Sequence, residues 1–144
     1  MSFIVAPPLQ EVTDGMVRSI RQQLAFRTYR AANELRNSAI EILRGQRGGR
    51  RYKLPNSGAY YTASAPGEPP AVRTGVFRNS WQPAMTYSAN LFQGRIESTH
   101  TVNGYVLGEL LENGTSRMAP RPHHDKILED AEPKIVRIYE EPYF

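Results

Sequence analysis

The chain is expected to fold as an α+β domain: a long N-terminal helix and a C-terminal helix packed on a small antiparallel β-meander, with an extended N-terminal arm and a long Gly/Pro-rich loop. Three observations predict this. A helical stripe runs unbroken over roughly thirty residues near the start. Two short central stretches alternate with period two, and a second helical stripe closes the chain. A length of 144 residues suits one domain, residues 1–144. The 11 Pro and 11 Gly, with a mean hydropathy of -0.53, imply that much of it is loop or arm.

The elements follow in order. Over 1–12, an apolar FIVA precedes Pro7 and Pro8, whose fixed φ and missing amide protons favour an extended arm. Thr13 or Asp14 is a suitable N-cap for a helix that runs to Arg44, with Gly45 placed to end it, a rod of roughly 46 Å. Val17, Ile20, Leu24, Ala31, Leu35, Ala39 and Ile42 fall on one stripe and predict its core face. Phe26 projects to the opposite side and Tyr29 lies off the stripe, so both are candidate subunit-interface residues.

The segment 45–73 opens with a basic run from Arg44 to Lys53, RGQRGGRRYK, expected as a mobile loop or hairpin tip. Pro55, Pro66, Pro69 and Pro70 keep the remainder extended. Thr74 can cap a short turn through Ser80. Met85, Tyr87 and Ala89, then Phe92, Gly94, Ile96 and Ser98, alternate as two strands. Asn103 is expected to cap a short helix holding Val106, Leu107, Leu110 and Leu111, closed by Asn113-Gly114. Pro122 and Asp125 suit the start of the last helix, whose stripe is Ile127, Leu128, Ala131, Ile135 and Ile138. Pro133 is expected to kink or split it.

Composition excludes several classes of chemistry. The chain has no Cys, so it has no disulfide, thiolate zinc site or thiol nucleophile. MSFIVAPPLQ lacks the basic and apolar regions of a secretory signal, and no run of about 18 apolar residues predicts a membrane span. No phosphate-loop or dinucleotide motif is present, and no cofactor is expected. His123, His124 and Asp125 adjoin one another, but neighbouring helical side chains point about 100° apart, so no metal site is expected. A hydrolase built on His100 and His123 would need folding to join them. The net charge of +4 is modest. The candidate DNA-channel or docking loop, Arg44, Arg47, Arg50, Arg51 and Lys53 with Tyr52, has the composition of a non-specific nucleic-acid-binding segment. A solvated loop pairing with acidic groups of another subunit is the alternative.

Two stretches carry a more specific signal: SAPGEPPAVRTGVFRNSW (64–81) and YVLGELLENGTSRMAPRPHHDKILEDAEPKI (105–135). Together they resemble the neck and tail-completion, head-to-tail joining, proteins of siphovirus-type tailed bacteriophages and prophages. In that family a long first helix precedes an APGEPP-type segment, a TG-x-(L/F)RNS turn and a sheet, then an (L/F)E-x-GT stretch and an RP entry to the last helix. The resemblance runs from about Thr13 to Tyr139. Gly108, where a bulkier residue is usual, and His123-His124, where an aromatic or Leu is usual, depart from the pattern.

The resemblance implies a structural virion protein and no enzyme. Its role would be to join or complete the tail at the neck, as one copy in a homo-oligomeric ring, hexamer first and dodecamer second. Adjacent neck and tail proteins would be its partners, with non-specific contact to DNA in the channel. Assembly would take place in the host cytoplasm, with no membrane involved. Gly67, Glu68, Pro69, Pro70, Thr74, Gly75, Arg78, Ser80, Glu112, Gly114, Thr115, Arg121 and Pro122 occupy its motif positions. Of these, Pro69, Pro70, Arg78, Glu112 and Arg121 are candidate interface residues. Arg78 and Arg121 are expected to fork onto Glu68, Glu112 or a neighbouring chain. The competing expectation is a small basic protein that binds nucleic acid through its Arg/Gly-rich loop.

Overall fold

A computed structural model describes residue 2 and residues 5–144; Met1, Phe3 and Ile4 of the expected arm lie outside the described residues. The first helix, α1 (Leu9–Arg44), has 36 residues and is therefore about 54 Å long. It begins earlier than the sequence predicts, so the arm shortens and Leu9 to Val12 are helical. Thr13 does not cap. Its hydroxyl donates back to the carbonyls of Leu9 (3.1 Å) and Gln10 (3.0 Å), and the Asp14 carboxylate accepts from Gln10 (2.9 Å). Pro8 takes the N-cap position instead.

The far end of α1 also departs from expectation. Gly45 has φ -58°, so no left-handed residue closes the helix. The Arg47 side chain does this work: Nη2 donates to Ile42 O (2.7 Å) and Nε to Pro69 O (2.7 Å). An orphan helix-end carbonyl is thereby satisfied, and the extended strap that follows is tied to the helix.

Residues 45–73, expected as an extended loop that opens with a mobile loop or hairpin tip, contain a hairpin of β1 (Arg51–Lys53) and β2 (Tyr60–Thr62). Tyr52 pairs with Tyr61 across it, their rings stacked at 5.9 Å, and this cross-strand pair replaces a buried apolar face. A short helix α2 (Val76–Asn79) leads into β3 (Trp81–Tyr87), which pairs antiparallel with β4 (Phe92–Ser98). Then come β5 (Thr101–Val102) and β6 (Tyr105–Val106), α3 (Leu107–Asn113) and α4 (His124–Glu140).

The architecture is α+β, but the meander resolves into three separate two-stranded ribbons. Asn103 is not a helix cap. With φ 52° beside Gly104 at 82°, it forms the Asn-Gly turn that joins β5 to β6. Pro133 lies inside α4 without splitting it.

The core forms where α1, β3–β4 and α4 meet. Ala39, Leu43, Trp81 and Ile127 are buried, with Leu35, Ile42, Phe77 and Ile96 against them. Small residues, Ala31 and Ala39 on α1 and Ala131 on α4, are buried with them and leave room for close packing. On β4, a Cβ at Gly94 would lie 3.2 Å from both Ala32 Cβ and Thr28 O, so the glycine lets the strand lie directly on α1. Val17, expected in the core, is 49% exposed, and Leu9, Val12 and Met16 toward the start of the helix are 78%, 42% and 45% exposed.

Candidate assembly surfaces

The N-terminal turns of α1 stand apart from the rest. Among the described residues, apart from the Val12 N–H bond to its Pro8 cap (3.3 Å), the hydrogen bonds between α1 and the rest of the chain reach no further toward its start than Gln23, which donates to Tyr143 O (2.9 Å). Leu9, Val12, Met16 and Val17 beyond that point are all exposed. Further along, Phe26 is 63% exposed and Tyr29 is exposed too, as their positions off the stripe predict. A monomer leaves this much apolar surface in water, which costs free energy unless a partner covers it.

The basic hairpin divides the residues predicted for it. Arg50, Arg51 and Lys53 are exposed on the ribbon, with Arg50 over the Tyr52 ring (5.8 Å) and Arg51 over Tyr60 (4.6 Å). Arg44 is exposed at the end of α1, 3.6 Å from Glu41. Arg47 is a correction, because its guanidinium is spent on the carbonyls of Ile42, Pro69 and Pro70 and is not presented to a docking partner. Burial lowers its pKa, against the pull of Glu68.

The interface candidates in the strap are also largely occupied within the chain. Pro70 is buried and Pro69 half-buried, and both carbonyls hold Arg47. Glu68 accepts from the backbone of Gly48 (2.9 Å) and Ala65 (2.8 Å), and these N–H groups, Gly48 first, hold its carboxyl below the usual range. Glu112 accepts from the N–H groups of His123 (2.8 Å) and His124 (3.2 Å) at the start of α4. Arg121 donates to the carbonyls of Ala119 and Pro120. The expected forks of Arg78 and Arg121 onto Glu68 or Glu112 are therefore absent among the described residues, since both carboxylates are committed to backbone N–H groups.

Glu112, His123 and His124 form a cluster that helical spacing did not predict, each offering one ligand-type atom within 4.8 Å of the others. The 100° argument fails because His123 (φ -140°) lies before the helix. One oxygen of Glu112 serves two N–H groups at the positive end of α4 and also lies 2.9 Å from His123 Nδ1. That is the arrangement of a helix cap. His100 is not in this cluster; it lines a cavity between the strap and α3.

The His123 ring is fully buried against Phe77 (5.7 Å) and Trp81 (6.0 Å). Burial lowers its pKa, and this outweighs the favourable Arg121 carbonyl and Glu112 carboxylate. The ring's own hydrogen bond runs from Nδ1 to the Arg121 carbonyl (3.0 Å), and the approach to Glu112 is a close contact with no ion pair behind it. Burial raises the Glu112 carboxyl, but the two N–H groups and the imidazoles outweigh it and the net shift is downward.

Both shifts act in one direction. Below about pH 6.5 an unfolded His123 takes a proton that the folded ring resists, so stability falls on acidification, by at most about 1.4 kcal/mol per pH unit. Glu112 adds a further loss only as pH falls below the ordinary carboxylate range. His123→Phe is expected to flatten the decline between pH 6.5 and 5.5, approximate bounds set by the free imidazole. Urea unfolding of both proteins at each pH measures it, and an undiminished slope in the variant assigns the decline to another group.

The cavity beside His100 has a volume of about 440 Å³, with Leu43 of α1 in its wall. Arg73, Arg78 and Arg121 line it as well, and no carboxylate does among the described residues. Arg78 Nε is buried without a hydrogen-bond partner. Neither the cavity nor the exposed apolar start of α1 was legible as a surface in the sequence. No helix among the described residues is long and apolar enough to cross a membrane. No family model matches the chain, and no curated protein or solved structure matches it.

Proposed function

We propose that this chain is a structural subunit of the head-to-tail neck of a long-tailed bacteriophage. It would act as one copy in a homo-oligomeric ring, six copies favoured, that joins or completes the tail. The observation that supports this most is α1, whose first turns leave the body and expose Leu9, Val12, Met16 and Val17, with Phe26 and Tyr29 further along. Apolar surface of this extent on one rod belongs to a subunit that is covered by neighbours, and cyclic closure covers every copy equally. The motif resemblance at 64–81 and 105–135 supports the neck as the setting. The conspicuous titratable cluster is engaged in capping α4, which favours an architectural role over a chemical one.

The test is the solution mass by light scattering across concentration and salt, for the wild type and Phe26→Glu. A defined oligomer that weakens in the variant is the expected result. A wild type that stays monomeric at every concentration overturns self-assembly.

A second reading rests on the hairpin, whose Arg50, Arg51 and Lys53 stand beside Tyr52 and Tyr60 on an exposed ribbon. Such a ribbon suits phosphate contact without sequence readout, either in the neck channel or as the activity of a free nucleic-acid-binding protein. The free form predicts binding by the monomer with a steep salt dependence that shrinks in Arg50→Ala/Arg51→Ala. Binding that appears only with the oligomer assigns the ribbon to the ring.

A further inference from the structure

Resting on the self-assembly reading above, we infer that the first turns of α1 in one copy dock into the arginine-lined cavity of the next copy. The two surfaces are complementary in charge. From Leu9 to Val17 the helix carries Glu11 and Asp14 and no basic residue, the first being Arg18. The cavity brings Arg73, Arg78, Arg121 and His100 together without a carboxylate. They are complementary in polarity too, since Leu9, Val12 and Met16 are exposed on the helix while Phe77, Leu107 and Leu111 line the cavity.

The buried Nε of Arg78 is the second mark of a missing partner. A buried guanidinium nitrogen without an acceptor is costly, and a carboxylate entering the cavity would offset that charge through the part of the Arg78 guanidinium that lines it. Within the chain both nearby glutamates, Glu68 and Glu112, are already taken by backbone N–H groups.

The occupant cannot be the chain's own helix. Leu43, in the cavity wall, and Val12, on the docking turns, belong to the same α1, and 31 residues separate them, roughly 46 Å at 1.5 Å each. A rod carrying its plug near one end and its socket at the other joins plug to socket. Repeated in one direction, such a heterologous contact closes a ring or grows a filament, whereas a reciprocal exchange between two antiparallel copies stops at a dimer.

The absence of native cysteine makes a direct test clean. Val12→Cys and Val102→Cys place thiols on the plug and on the exposed rim of the socket. Under mild oxidation a mixture of the two single variants should cross-link to a dimer, and the double variant should give a ladder extending beyond the dimer. Glu11→Lys/Asp14→Lys, on turns whose side chains make no hydrogen bond outside α1 among the described residues, should keep the wild-type circular dichroism and raise the dissociation midpoint by about tenfold or more. An oligomer that forms no cross-link in the mixture, or whose midpoint ignores the lysines, overturns the docking and leaves self-assembly standing. A monomeric wild type overturns both.

Discussion

Arg27→Ala is expected to lower the stability of the fold by about 3 kcal/mol, and its thermal midpoint by roughly 10 °C. Arg27 is only 5% exposed, and its guanidinium ties the end of α4 to α1. Nη1 donates to the carbonyls of Tyr139 (3.1 Å) and Glu141, and Nη2 to Pro142 O (2.8 Å). The Tyr143 ring lies 3.8 Å from it. The last carbonyls of α4 have no partners within the helix, and a cation there also meets the negative end of the dipole. Removing the fork leaves these carbonyls and the ring without their common partner.

Arg30 is the instructive contrast. It makes a two-pronged bridge to Glu141 at 2.7 Å, better in geometry than any single bond of Arg27, yet the two side chains are 37% and 42% exposed. Solvent screening weakens such a pair, so Arg30→Ala should be mild. Arg27→Lys should recover only part of the loss, because an ammonium cannot span the same carbonyls. Urea denaturation of the three variants ranks them. An Arg27→Ala protein within about 1 kcal/mol of wild type, or less stable Arg30→Ala, would sink the account.

The parts of this fold that were legible in the sequence are those set by periodicity. Ala31, Leu35, Ala39 and Ile42 mark the packed length of α1, and Ile127, Ala131 and Ile138 that of α4, because a stripe that meets a core must recur every three or four residues. The same rule misled at Val17, where the stripe continues past the body. Periodicity reports amphipathicity and cannot say whether the partner lies in the same chain.

A hairpin tip is one of the two expectations for the basic run, but the strands β1 and β2 escaped because RYK and YYT carry no alternating apolar pattern; a cross-strand tyrosine stack and cation–π contacts hold them instead. Within the basic run, composition could not tell that Arg47 folds inward while Arg50 and Arg51 stay out, because that depends on where the Pro69 and Pro70 carbonyls end up. The cavity is a still harder case. Its basic residues come from positions 73 to 121, and only the strap, α2 and α3 acting together make them neighbours.

Gly114→Ala is expected to cost about 3 kcal/mol or more, and it links the fold to the proposed assembly. Gly114 ends α3 with φ 76° and ψ -178°, a conformation that is nearly closed to residues with a side chain. An added Cβ would also lie 2.8 Å from Met118 O and from Pro120 N, both backbone atoms that cannot swing aside. Relief requires the 114–121 turn to open. That turn carries Met118 and Arg121, which line the cavity, and Arg121 N bonds to Leu111 O (2.7 Å) next to Glu112, the cap of α4. The variant should therefore lose stability and oligomer together, whereas Glu11→Lys/Asp14→Lys loses the oligomer alone. Thermal unfolding and light scattering on the same samples separate the two. A Gly114→Ala protein as stable as wild type would show that the turn accommodates a side chain, and would remove the link between this glycine and the cavity wall.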